Sequence, residues 1–490
     1  MRVKTTAQVS SDLTQREFVL TVNTRSAAPT QGEAVAIFGL GYVGLTLAVA
    51  AADAGYRVVG LEIQNDVLET IKHGKAHFFE VGINERLSRH VASGKITVRR
   101  KLLPQDRCST YIITVGTPIG PDKRTQTESI ISVMQDIRDL LQPKDLVILR
   151  STVRVGVTRD IAKVILDQSG LPYHLAFCPE RTIEGQALLE LRELPQIVGG
   201  LNVESRDLAF AFFSRIASEV ITVESVEAAE LVKLINNTER DLRFAFANEV
   251  AAICDVFGLK AHDVIAACNY RYPRSNLALP GPVGGPCLTK DPYILAEGLE
   301  THGLKPQLAL VGRETNEALI GSAVSAVRNA LAMLGSTERF VRIGILGLAF
   351  KGRPATDDLR GSTVFDLLQA IHRNFPGASI VGYDPVAEAS AIALTGMQPV
   401  ESIEQAFAGA SAVFLHNNHP DLANLPLQGL GTVMARPAIV YDFWAQNRNS
   451  AGLPENVWLT GLGYWPTALS ATKGGIGDRS EAKAIKSALG

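Results

Sequence analysis

Between Glu33 and about residue 222, short apolar runs alternate with stretches whose apolar residues recur every three or four positions. The run AVAIFGL shows no polar alternation, the pattern of a strand covered on both faces in a parallel sheet. YRVVGLE, STYIITV, DLVILRS and YHLAFC repeat it, with helical stretches between them. This predicts a doubly wound α/β domain over 33–222. The pattern then changes. Over 223–338 there is no good strand, and VEAAELVKLINNTERDLRFAFANEVAAICDVFG reads as one helix closed by Gly258. About 30 residues of helix span roughly 45 Å, enough to bridge two domains or to pack against a second subunit.

From Arg342 the alternation resumes in VRIGILGLAF, SIVGYDP, SAVFLHN and PAIVYDF, predicting a second α/β domain over 339–466. The fold class is therefore α/β, two Rossmann-like domains joined by a long central helix and a helical region suited to dimerisation. Residues 1–32, polar and without periodicity, are expected to form a flexible extension, and 467–490, rich in Ser, Lys and Gly, a fraying tail. No short repeat is visible, and the two α/β halves are candidates for a distant structural duplication that their sequences do not show.

Composition narrows the class without naming a function. A chain of 490 residues splits into two or three domains. Its 48 basic and 50 acidic side chains nearly balance, so nothing calls for a nucleic-acid or membrane-surface partner. No apolar run reaches the roughly 18–20 residues of a membrane span, and the N-terminus lacks the apolar core of a secretory signal. Five cysteines (108, 178, 254, 268 and 287), never in a C-x-x-C pair, imply reduced thiols in a cytoplasm and no metal site.

The first chemistry lies in Gly39-Leu40-Gly41-Tyr42-Val43-Gly44, which follows a strand and opens a helix. In that setting G-x-G-x-x-G is a dinucleotide motif. Gly39 permits the tight turn, Gly41 lets a pyrophosphate reach the backbone, and Gly44 lets helix and strand pack closely. Tyr42 and Val43 begin the helix whose N-terminus faces the phosphates. A second strand ends in Glu62, placed to bind an adenosine ribose and to repel a 2′-phosphate, which favours NAD.

The second lies in Pro280-Gly281-Pro282-Val283-Gly284-Gly285-Pro286-Cys287-Leu288-Thr289-Lys290-Asp291. A cysteine after such a turn is either an activated thiol or a small buried side chain, and for a cysteine taken alone the second reading is the commoner. The loop resembles the G-G-x-C-L-P-K-D signature of the UDP-glucose/GDP-mannose dehydrogenase family. The resemblance runs from about Glu33 to about Tyr464 and includes Thr117-Pro118, R-S-T-V from Arg150, P-E-R-T-I-E-G from Pro179, K-L-I-N-N from Lys233, and G-L-A-F-K from Gly347 with D-D-L-R to Arg360.

The resemblance implies oxidation of a nucleotide sugar's C6 hydroxyl to a carboxylate, with Cys287 forming a thiohemiacetal and then a thioester. Lys233 and Asn237, four apart on one helical face, become the stabilisers of the oxyanion. Glu180 and Glu184, also four apart, face one pocket if their segment is helical, and the family pattern gives Glu184 the acid–base role in hydrolysis. Thr152 and Asp291 hold the water, while Thr117 and Thr152 line the cofactor site. Substrate contacts fall to Glu180, Lys233, Asn237, Gly284, Lys351 and Arg360, and to Arg271 or Arg274, one of which reaches a partner subunit's sugar; Arg274 is the choice.

Three positions depart from the family pattern: Thr289 and Gly116 stand where proline is usual, and Glu62 where aspartate is commoner. The P-E-R-T-I-E-G segment is similar to the branch acting on UDP-N-acetylhexosamines, with UDP-glucose and GDP-mannose dehydrogenases as alternatives. A single-step β-hydroxyacid dehydrogenase would need neither Cys287 nor a second α/β domain. An inactive dinucleotide-binding scaffold would not keep the reacting groups. The expected partners are thus a UDP-sugar, NAD and a second copy of the chain.

Overall fold

The computed structural model describes residues 33–336 and 341–465; the expected N-terminal extension and C-terminal tail lie outside the described residues. These fall into two compact units. The first runs through Glu239 and takes in Lys290–Leu310, and the second comprises Arg240–Thr289 and the chain from Val311 onward. The segment 223–338, read from sequence as one helical region, is thus shared between the two, with the division falling inside the long helix Val226–Phe257.

The first unit is built on eight strands: β1 (Ala34–Phe38), β2 (Arg57–Leu61), β3 (Ile96–Arg99), β4 (Thr110–Ile113), β5 (Leu146–Leu149), β6 (His174–Phe177), β7 (Gln196–Gly200) and β8 (Val220–Val223). Their order is β3-β2-β1-β4-β5-β6-β7-β8, and only the β6–β7 pairing is antiparallel. Successive residues feed opposite cores. Val35, Ile37, Val58, Ile112 and Ile148 enter one, while Ala36, Phe38, Val59, Ile113 and Leu149 enter the other. A sheet buried on both faces needs unbroken apolar strands, which is why the runs lacked polar alternation.

The second unit repeats the scheme with β9 (Arg342–Leu346), β10 (Ser379–Tyr383), β11 (Gln398–Pro399), β12 (Ala412–Leu415), β13 (Ala438–Asp442) and β14 (Val457–Gly461), all parallel, in the order β11-β10-β9-β12-β13-β14. Its six strands follow the order of the first six of the other sheet, the Rossmann arrangement. The likeness extends to single hydrogen bonds. Gly39 (φ +85°) donates to Leu61 O at 2.8 Å, and Leu40 N–H donates to the Glu62 carboxylate at 2.9 Å. In the second sheet, Gly347 (φ +79°) donates to Tyr383 O at 2.9 Å, and Leu348 N–H donates to Asp384 at 2.6 Å. G-L-G-Y-V-G and G-L-A-F-K-G occupy the same turn in their two sheets, so the two halves share strand order as a distant duplication would, and at this turn, contrary to expectation, a trace of sequence as well. Beyond the turn the two diverge: a helix starts at Tyr42 in the first, but none starts before Val364 in the second.

Candidate active site

In the first unit the turn after β1 has the geometry a dinucleotide requires. A Cβ on Gly44 would lie 1.9 Å from Gly39 O, so only glycine lets the helix Tyr42–Asp53 sit against the strand. A Cβ on Gly41 would meet nothing within 4 Å, leaving backbone open to a ligand at the helix start. Val43 lies in that first helical turn. Glu62 closes the far side, accepting from Leu40 N–H through one oxygen and from Ile63 and Gln64 N–H through the other. No phosphate could lie against so tethered a carboxylate without repulsion, so the residues fit NAD. Among the described residues, no cluster of three metal-ligating side chains occurs.

Tyr42 begins that helix, and its side chain has a further task. The hydroxyl donates to Glu80 and accepts the Gly185 N–H. Glu80 also takes Gly185 N–H at 2.9 Å and Leu188 N–H at 3.2 Å, which caps the helix Ala187–Glu193. Burial and the adjacent Glu80 carboxylate push the Tyr42 hydroxyl far above its ordinary pKa, so it stays a donor. The Tyr42 side chain therefore anchors the chain beside Glu184, while its backbone opens the helix at the dinucleotide turn.

The segment Pro179–Gln186 is not helical, so the expected helical face for Glu180 and Glu184 is not formed. Glu180 is buried and held on all sides. Arg150 donates to it from Nη2 at 2.5 Å and Nε at 3.1 Å, and the Arg181 and Thr182 N–H groups donate at 2.7 and 2.8 Å. Burial alone would raise this carboxyl, but the Arg150 guanidinium, the Thr182 amide and the Lys233 charge hold it below its ordinary value. Such a carboxylate is a fixed anion and a poor proton acceptor. Glu184 sits half-buried in the turn with Gly185 (φ +89°). Arg181 is half-buried and donates to Pro195 O, which anchors the same loop.

Lys233 and Asn237 lie one turn apart on the long helix, 7% and 6% exposed. Asn237 donates to Asp291 at 2.5 Å. Asp291 is fully buried, and its other carboxylate oxygen has no hydrogen-bond partner among the described residues. A buried, half-satisfied carboxylate is costly unless a ligand group or water meets it. Next to it, Lys290 donates to Thr117 O at 2.8 Å, and the Thr117 hydroxyl donates to Thr152 O at 2.6 Å. The T-P, R-S-T-V and K-D motifs are thereby tied into one cluster. Glu80, Arg150 and Lys290 were given no role from sequence: Glu80 sits in no motif, and the other two stood inside quoted motifs without a partner to reveal them.

In the second unit Cys287 lies half-buried in the loop that begins at Pro280. Gly285 (φ +97°) donates to Gly361 O at 2.7 Å, and Cβ atoms on Gly284 or Gly285 would strike Gly361 O and the Phe350 ring at 2.8 and 2.7 Å. This docks the cysteine loop on the F-K and D-D-L-R-G segments and makes Gly284 a packing position. Where the family has proline, the Thr289 hydroxyl donates to Gly285 O at 2.7 Å and closes the turn by another means.

Lys351 lies over the Phe350 ring at 5.2 Å. Arg360, exposed, pairs with Asp358 at 2.6 Å. Arg271 (φ +52°) and Arg274 are both exposed, each over a tyrosine of its own loop, Tyr270 at 5.3 Å and Tyr272 at 4.5 Å. Neither is distinguished from the other.

Comparison with known proteins agrees with this arrangement. The NAD-binding, central and UDP-binding domains of the UDP-glucose/GDP-mannose dehydrogenase family match residues 33–217, 227–318 and 344–448. The UDP-N-acetyl-D-mannosamine dehydrogenase of Pyrococcus horikoshii is 30% identical over 83% of this chain and 94% of its own. A protein of Ralstonia nicotianae named NDP-N-acetyl-D-galactosaminuronic acid dehydrogenase is 29% identical over 80% and 92%.

Among solved structures, that of the Pyrococcus horikoshii enzyme superposes with TM-score 0.79 at 29% identity, covering 88% of this chain and 99% of that one. A UDP-glucose dehydrogenase of Pyrobaculum islandicum gives 0.76 at 25% identity, covering 89% and 98%. No helix among the described residues is long and apolar enough to cross a membrane. With its dinucleotide turn, its buried Lys–Asn–Asp set and all three family domains in order, the chain belongs to the UDP-glucose/GDP-mannose dehydrogenase family and is an NAD-dependent nucleotide-sugar dehydrogenase.

Proposed function

We propose that the chain oxidises the C6 hydroxyl of a UDP-N-acetylhexosamine, UDP-N-acetylmannosamine first among them, to the uronate through a thioester on Cys287. The observation that carries this reading is the half-satisfied Asp291, bound by Asn237 one helical turn from the buried Lys233. NAD, when bound, would supply a hydride acceptor, a fresh molecule for each of the two oxidations. The chain's residues do the rest. Thr117 and Thr152 line the nicotinamide end, Glu62 holds the ribose, and Gly39, Gly41 and Gly44 admit the pyrophosphate.

The Cys287 thiolate adds to the C6 aldehyde, forming a C–S bond and an oxyanion, and Lys233 with Asn237 stabilises that charge. After the second oxidation, a water held by Asp291 and Thr152 attacks the thioester. Glu184 takes the water's proton, and the C–S bond breaks to return the thiol. Overall, one alcohol, two NAD and one water give one carboxylate, two NADH and three protons. Glu180, locked by Arg150, holds the acid loop in place and keeps a fixed negative charge within range of Lys233.

Lys351 and Arg360 meet the UDP, and Arg274 reaches the sugar of the partner in a homodimer. The enzyme works in the cytoplasm and supplies an aminouronate for a surface polysaccharide. The naming of the relatives favours the acetylated sugar, while the Pyrobaculum neighbour keeps UDP-glucose as the second reading.

The test is an absorbance assay with NAD and, separately, UDP-N-acetylmannosamine, UDP-N-acetylglucosamine, UDP-glucose and GDP-mannose. The expected result is two NADH per UDP-N-acetylmannosamine, with kcat reduced ~10³-fold or more in Cys287→Ser. One NADH per sugar, or full activity in the variant, would overturn the proposal. Two NADH from UDP-glucose alone would overturn the choice of sugar.

A further inference from the structure

Four buried polar side chains of the second unit have no part in the chemistry above, and together they grip the loop that carries Cys287. Asp241 and Asn248 lie on the long helix, Arg313 and Asn316 on the helix Gln307–Met333, and all four are at most 3% exposed. Arg313 pairs with Asp241 at 2.7 Å and also donates to Leu288 O at 3.4 Å and Val283 O at 3.3 Å. Asn316 donates to the Asp241 carboxylate at 2.9 Å. Asn248 donates to Asn316 at 2.9 Å and to Gly281 O at 3.1 Å, and accepts the Gly281 N–H at 2.8 Å. The network thus meets both ends of the stretch 281–288 and takes hold of it by backbone groups.

Burying an ion pair and two amides is an expensive way to hold two helices together. Apolar side chains of the same volume would do that at least as well. What the polar set supplies is direction. A guanidinium fork and a primary amide can fix carbonyls and an amide N–H at set angles, and leucine cannot. The loop needs such fixing. It is rich in Gly and Pro, has no strand or helix of its own, and its Gly281 peptide has Asn248 as partner at both ends. Covalent catalysis is sensitive to this, since a displacement of about 1 Å at a reacting atom costs on the order of 10²-fold in rate.

We propose that Asp241, Asn248, Arg313 and Asn316 form a positioning clamp that sets the Cys287 thiol for addition to the aldehyde. The inference rests on Cys287 being the nucleophile. It predicts a selective defect. The first oxidation needs no thiol and stays near its normal rate, whereas the second, which begins with thiol addition, slows.

Stopped-flow absorbance in single turnovers separates the two phases. The proteins compared are the full-length chain, Asn248→Ala and the charge-free double variant Asp241→Leu/Arg313→Met, with Cys287→Ser as control. Rates of Cys287 alkylation by iodoacetamide and melting temperatures are measured alongside. The double variant is included because removing a buried ion pair whole is better tolerated than removing one member.

The expected result is a first phase within about 3-fold of wild type and a second slowed on the order of 10²-fold. Cys287 alkylation changes by tenfold or so, while KM for the sugar and the melting temperature hold. Equal slowing of both phases, or two unchanged phases, in a folded variant would overturn the clamp. A second phase that survives in Cys287→Ser would overturn the nucleophile reading itself, and the clamp with it. Loss of that phase in Cys287→Ser but not in the clamp variants would overturn the clamp alone.

Discussion

Gly41 and Gly44 stand three residues apart in one turn and answer to different forces. An alanine Cβ at Gly44 meets the Gly39 carbonyl at 1.9 Å, so Gly44→Ala must push the helix off the sheet. The expected cost is about 3 kcal/mol or more, seen as a large fall in melting temperature. At Gly41 the same methyl meets open space, and its φ of −63° suits any residue. Gly41→Ala should leave stability within about 1 kcal/mol while weakening NAD tenfold or more by calorimetric titration, since the methyl stands where the pyrophosphate comes in. Equal effects in the two variants would mean that Gly41 serves packing alone. The glycines were legible in sequence because one side-chain atom decides each of them. The hydroxyl of Tyr42 was not legible for the opposite reason: its partner Glu80 lies 38 residues away and no local pattern connects them.

Among elements, the strands that could be read were those buried on both faces, because their runs have no polar interruption. β3 and β8 escaped notice because three of four residues in each are only partly buried. β7 ends in Gly199 and Gly200, which read as a turn. They are there because Cβ atoms would strike Ser225 O and Arg206 N at 2.3 and 2.4 Å. The long helix was visible from its periodicity, whereas the shape of the Pro179–Gln186 segment was not. A four-residue spacing suggests a helix, but Glu180 saturates its own carboxylate with Arg150 and the Arg181 and Thr182 amides, and the segment is not helical.

The second sheet carries a titrating joint. At the end of β12, His416 is fully buried, accepts or donates between the Thr363 hydroxyl and Gly347 O at 2.7 Å each, and has its pKa lowered by burial from 6.5 to about 4. The unfolded chain takes up a proton that the folded one refuses. Stability is therefore complete above about pH 6.5 and falls as pH drops toward 4, by at most about 3 kcal/mol. Melting temperature should decline between pH 7 and 5 in the wild type and decline less in His416→Asn. The same slope in both proteins would assign the loss to other groups.

At the scale of the molecule, two Rossmann sheets carry two variants of one turn, G-L-G-Y-V-G and G-L-A-F-K-G. The first opens a helix at once, which suits a pyrophosphate. The second runs into a long loop that carries Lys351 and Arg360 and backs the Cys287 loop. The proposed homodimer makes a prediction of its own. Cys287→Ser and Arg274→Ala proteins, each nearly inactive alone, should regain activity on subunit exchange, because a mixed dimer has one site with both groups intact. Failure to regain activity after exchange, shown by differently tagged subunits, would place Arg274 outside the partner's site, and repetition with Arg271→Ala would test the other arginine.

A covalent intermediate on Cys287 can be trapped. Glu184→Gln, which hydrolyses the thioester slowly, would be mixed with NAD and UDP-N-acetylmannosamine, quenched in acid at short times, digested and read by mass spectrometry. The expected result is a sugar-acyl adduct on the peptide that contains Cys287, formed after both hydrides have been lost and decaying with release of the uronate. Uronate formed while that peptide stays unmodified at every quench time would contradict it.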